Sequence, residues 1–174
     1  MKTAEASLLV LIAVSSVPAA AAITKKEVLN ASAARKEDLF RKVDALASLK
    51  TLTQKSVSKG LGMTLEFADA SRNVLSKSST AHGPADSAIE LIEIRGEEGR
   101  FLTMEVSSRL AITGEDIRRH FGKETDIYRL NHHAPPDSPL YLIYSRPKER
   151  LKFGIKVGKP DLLIRVVLDR TEPD

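Results

Sequence analysis

Catalysis needs side chains that can move a proton, hold a metal or attack a carbon, and this chain gathers few of them. Histidine occurs at positions 82, 120, 132 and 133, and cysteine is absent. His132 and His133 stand close to Asp137, and His120 lies one helical turn after Asp116. Histidine and carboxylate are metal-ligand types, but a closed site takes about four ligands. Adjacent histidines in an extended segment point to opposite sides, and Asp116 with His120 supplies only two groups. The spacing predicts no metal and no cofactor. His82 with Asp86 and Ser87, and His133 with Asp137 and Ser138, have the residue types of an acyl-transfer triad. Spacing this tight does not let a base sit between its two partners. No Gly-x-Ser-x-Gly occurs, and no glycine-rich phosphate loop follows a strand. The expectation is a protein that is not an enzyme, with a hydrolase as the least favoured alternative.

Recognition chemistry is better represented. Along 150–157, Leu151, Phe153, Ile155 and Val157 alternate with Arg150, Lys152 and Lys156. Along 161–169, Leu162, Ile164, Val166 and Leu168 read as one face, with Arg165 opposite beside Leu163 and Val167. Tyr141 and Tyr144 belong to the strand before them. An outward face bearing Arg, Lys and Tyr has the composition of a protein interface, where such anchors are enriched. The candidate binding residues are therefore Arg150, Lys152, Lys156, Arg165, Tyr141 and Tyr144. His132, His133 and Asp137 join them from the loop 129–139, because long polar loops on a rigid sheet carry recognition.

These residues must be held by a repeated unit. LTQKSVSKGLG (52–62) aligns with ITGEDIRRHFG (112–122), each with a Thr to cap a short helix and a Gly to end it. Residues 82–106 align with 133–157, and nine of the 25 positions are identical, among them His-x-Pro-x-Asp-Ser. Pro and Asp there suit a turn that launches the next strand. The pattern predicts strands near 63–67, 88–95 and 100–107 in the first copy. In the second it predicts 126–130, 139–145, 150–157 and an added strand at 161–169. The connectors are of hairpin length, which implies an antiparallel sheet with helices on one side. A helix over about 25–48 precedes the repeat; Leu39, Val43, Leu46 and Ala47 lie on one of its faces, and Thr24-x-x-Glu27 has capping-box form. The fold class expected is α+β: a tandem repeat of a short helix followed by an antiparallel meander, preceded by an N-terminal helix. Its segments are 23–50 for that helix, 51–111 for the first repeat and 112–174 for the second.

A short helix, a terminal glycine and an antiparallel meander in tandem resemble the β-lactamase inhibitory protein family and the related small outer-membrane assembly lipoproteins. Residues 112–122 and the strands through Leu168 carry the resemblance, with their partners in the first copy. It implies a binding fold whose sheet face grips another protein. The chain departs from both groups, having neither the disulfides of the first nor the lipidated cysteine of the second.

The N-terminal stretch sets the compartment. Ala6 to Val17 is apolar apart from serines, Pro18 breaks the run, and Ala20–Ala22 offers the small residues of a cleavage site. This is the form of a secretory signal peptide over 1–22, too short for a membrane span. A periplasmic or secreted location follows, and without disulfides the mature chain must be held by its core. With 27 Lys and Arg against 23 Asp and Glu, the net charge of +4 suits an acidic partner. It is too slight for nucleic acid, and no basic run is interleaved with aromatics. The function expected is an exported protein-binding module, an inhibitor or immunity-type protein that occludes a partner through its sheet face and loops. An envelope-assembly or small-ligand and lipid-binding protein is the alternative.

Overall fold

The computed structural model describes residues 25–69, 74–77, 88–95, 99–129, 135, 138–158 and 160–170. Helix α1 spans Lys25–Ala47, with no Gly or Pro to interrupt it. It runs through Asn30-Ala-Ser32, and its second half presents Leu39, Phe40, Val43 and Leu46, all buried. That spacing makes one apolar stripe. Arg170 closes the far end by donating from one guanidinium nitrogen to the carbonyls of Leu46, Ala47 and Leu49. The last carbonyls of a helix lack intrahelical donors, and Arg170 serves Ala47 there, Leu46 alongside the Leu49 amide, and Leu49 just beyond the end.

Helices α2 (Gln54–Leu61) and α3 (Gly114–Phe121) start alike. Thr53 and Thr113 accept from the third amide of their helices, and Ser56 and Asp116 return the bond, so both carry a capping box. Leu52 and Ile112, just ahead of the caps, are buried, as are Val57, Leu61 and Ile117 on the inward helix faces. Gly62 ends α2 in the left-handed conformation at φ 65°.

The strands are β1 (Leu65–Asp69), β2 (Val74–Lys77), β3 (Ile89–Arg95), β4 (Phe101–Val106), β5 (Asp126–Arg129), β6 (Leu140–Arg146), β7 (Glu149–Lys156) and β8 (Leu162–Asp169). They form one antiparallel sheet in the order β1-β2-β3-β4-β8-β7-β6-β5. The fold is α+β, with an N-terminal helix ahead of the sheet. Ile92, Ile94, Leu102, Met104, Leu142, Tyr144, Leu151, Phe153, Ile155, Val166 and Leu168 point to one side, where the helices cover them in a single core. Full burial of each such side chain contributes about 1.5–3 kcal/mol. Phe121 of α3 is the hinge of this packing, its ring 4.9 Å from Phe153 and 5.5 Å from Phe40.

Several expectations change. The sequence pattern predicts no strand between 67 and 88, yet β2 lies there and pairs with both β1 and β3. Each half is therefore one helix and four strands, and in strand order β8 occupies the place in the second half that β4 occupies in the first. The sequence alignment instead sets β4 against β7 and β3 against β6. Ile164 does not share a face with Val166 and Leu168. Gly154 pairs with Arg165 and Ile155 with Leu163, so Ile164 is bulged out and Leu163 turns into the core, 1% exposed. Val157 lies beyond the end of β7 and is exposed rather than buried. In the second hexapeptide the Ser138 amide donates to the Pro135 carbonyl just ahead of β6. The first hexapeptide, the segment 1–22 and Thr24 lie outside the described residues. Among the described residues no helix is long and apolar enough to cross a membrane.

Candidate functional site

Alternation gives the sheet a second side, and among the described residues no helix packs on it. Strand register sorts its side chains into rows that run across the strands. One row is Tyr128, Tyr141, Gly154, Arg165, Glu105 and Leu91, from β5 to β3. The next is Asp126, Ile143, Lys152, Val167, Thr103 and Glu93. A third holds Ser145, Arg150, Asp169, Phe101 and Arg95.

The first row is a built arrangement. Arg165 donates through Nε to Glu105 Oε1 at 2.8 Å, with a terminal guanidinium nitrogen 2.6 Å from the same oxygen. The Tyr141 side chain beside it also favours its charged form. Burial pulls the Arg165 pKa down, but Glu105 and Tyr141 outweigh it and hold the group above its ordinary value. Gly154 makes room for this contact. A Cβ there would sit 3.1 Å from the Tyr141 ring, 3.2 Å from Arg165 Cβ and 3.5 Å from Pro139. The tyrosine covers the glycine from the neighbouring strand, an aromatic-over-glycine pair. In the second and third rows Lys152 reaches Asp169 at 2.6 Å, and Arg95 reaches Glu93 at 2.5 Å.

Four of the residues expected from the sequence, Arg150, Lys152, Arg165 and Tyr141, therefore stand together on this open face, with Lys156 at its margin. Tyr144 does not. It points to the helix side, is 6% exposed, packs on Phe153 and Phe121, and donates to the Gly122 carbonyl at 3.1 Å. Alternation along β6 puts it opposite Tyr141, and burial pushes its hydroxyl pKa up. His132, His133 and Asp137 lie outside the described residues. The sequence reading missed Glu105, Asp169 and Thr103. Their neighbours come from the β4–β8 pairing, which joins residues about 60 apart and which the repeat alignment does not suggest. Gly154 was missed as well, although a glycine inside an alternating strand is itself a signal of close approach.

A second polar cluster lies between α1 and α3. His120 Nε2 is 3.0 Å from Asp44 Oδ2, and its Nδ1 is 3.4 Å from Glu37 Oε1. Arg146 reaches the other Asp44 oxygen at 3.2 Å, and Phe40 lies 5.0 Å from the imidazole. The two carboxylates meet opposite edges of the ring, so they share no common point for a cation. Among the described residues no group of three or more His, Cys, Asp or Glu could hold a metal. Lys36 binds Asp116 at 2.7 Å beside this cluster. These contacts join α1 to α3 and to the end of β6.

No protein-family model matches the chain, and no curated protein matches its sequence. Among solved structures, it is similar to a DUF4309 family protein (YjgB) from Bacillus subtilis subsp. subtilis str. 168. The TM-score is 0.45 and the identity 10%, over 79% of this chain and 97% of that one. A likeness at that level assigns neither fold nor function.

Proposed function

We propose that the chain is an exported protein-binding module that occludes or holds a partner across its open sheet face. The observation that carries this reading is the second side of the sheet. At least six strands contribute Tyr, Arg, Lys and aliphatic side chains to it, and among the described residues nothing packs over them. Exposed faces rich in Tyr and Arg are where protein interfaces form. An inhibitor or immunity-type role fits a small rigid sheet and the signal-peptide form of residues 1–22, with envelope assembly as the neighbouring possibility. The two halves, each one helix and four strands, are in this reading copies of one ancestral unit. Their matched capping boxes and shared order of elements support that origin.

The test is to place bulk at the centre of the face without removing an existing bond. Thr103 stands between Glu93 and Val167 in the middle row. Thr103→Arg is expected to leave thermal stability near that of the parent and to abolish recovery of a stoichiometric protein partner. Recovery of the same partner at the same yield would move the interface elsewhere.

A further inference from the structure

The open face is nearly balanced in charge, yet it does not look balanced from solvent. In the pairs Lys152–Asp169, Arg95–Glu93 and Arg165–Glu105 the cation is the outer member. Lys152 is 27% exposed against 6% for Asp169, Arg95 is 61% against 13% for Glu93, and Arg165 is 38% against 31% for Glu105. Arg150 and Lys156 add two more cations on the same side of β7. The α1–α3 side has no such order, since Glu37 is 70% exposed and its partner His120 is 23%. A carboxylate sunk beneath its cation anchors that cation without covering it. Apart from Asp126, exposed on the edge strand β5, the approaching surface therefore meets ammonium and guanidinium groups first.

Resting on the protein-binding reading above, we infer that the partner of the open face is an acidic protein surface, one that presents carboxylates to Arg95, Arg150, Lys152, Lys156 and Arg165. Complementary potentials of this kind steer encounter more than they deepen affinity. The rows span about 25 Å across six strands at about 4.8 Å spacing, and three of them cover an area on the order of 500 Å². That falls short of the roughly 800 Å² per partner of a standard stable complex. Binding is then fast, salt-sensitive and dependent on charge, with Tyr141 and Tyr128 as the aromatic contacts beside the cations.

The experiment follows backbone amide signals of the whole chain while a short oligo-glutamate peptide is added, with oligo-lysine as control. Expected are shifts confined to the open-face residues of β3, β4, β7 and β8, and release at about 1 M salt, where the screening length falls to about 3 Å. The double variant Arg150→Ala with Lys156→Ala should weaken the peptide at least about threefold, as the loss of two charges from this face implies. Absence of shifts on this face, equal response to oligo-lysine, or shifts mapping to α1 and α3 would each overturn the inference. So would tighter binding of anionic vesicles or DNA than of the peptide through these same residues. The two readings fail separately. A protein partner blocked by Thr103→Arg but indifferent to salt and oligo-glutamate sinks the acidic assignment alone. Oligo-glutamate on this face with no protein partner sinks the protein-binding reading alone.

Discussion

Asp116 makes two attachments with one carboxylate. Its Oδ2 accepts from the Thr113 amide at 3.0 Å, completing the cap of α3, and from Lys36 of α1 at 2.7 Å. Burial pushes the carboxyl up, but Lys36 and the Thr113 donors outweigh burial and hold it below its ordinary range. A group with a lowered folded-state pKa stabilises the fold above its unfolded value, and that contribution is lost as pH falls through the folded value. Asp116→Asn is therefore expected to destabilise the protein by about 1 kcal/mol at neutral pH, the size of a lost cap. Denaturant titrations should show the gap between the two proteins closing below about pH 4, the ordinary range of an aspartate. A gap that stays constant with pH would mean that the charge on Asp116 contributes nothing.

At the scale of elements, the β3–β4 hairpin is locked to the approach of α2 by one glycine. Gly99 has φ +68°, and a Cβ there would lie 2.3 Å from the Leu52 carbonyl oxygen. Since that oxygen belongs to backbone, nothing flexible can yield. Gly99→Ala is expected to destabilise by about 2–3 kcal/mol through overpacking and backbone strain, read as a lower denaturation midpoint. Most elements were legible in the sequence for local reasons. Thr–Gly brackets marked α2 and α3, and alternation marked β3, β4, β6 and β7 to within a residue or so. What escaped detection depended on partners far along the chain. Val74–Lys77 has too little alternation to announce a strand and becomes one between two neighbours. The Ile164 bulge changes which leucine is buried, and an unbroken run of apolar residues hides such a slip, because period two is defined only while the register holds. The candidate face was half legible. Its cations alternate along β7, with Arg165 on β8, but Asp169 meets Lys152 and Glu105 meets Arg165 only after β4, β7 and β8 come together.

Across the whole molecule, the two halves share one sheet and one core, joined where β4 pairs with β8. Heat or denaturant should therefore give a single transition, with fluorescence of the tyrosines in the second half and far-ultraviolet dichroism of the whole chain coinciding. Two separated transitions would show that the central pairing is weaker than the packing within each half. The position of β8 in the chain carries a consequence of its own. The middle of the sheet is completed by a strand that follows all of its partners in chain order, so a growing chain holds the inner flank of β4 open until Leu162–Asp169 arrive. During that wait the unfinished half offers a sticky margin to any similar strand nearby. Deleting β8 would then leave a protein prone to clumping rather than a smaller soluble one.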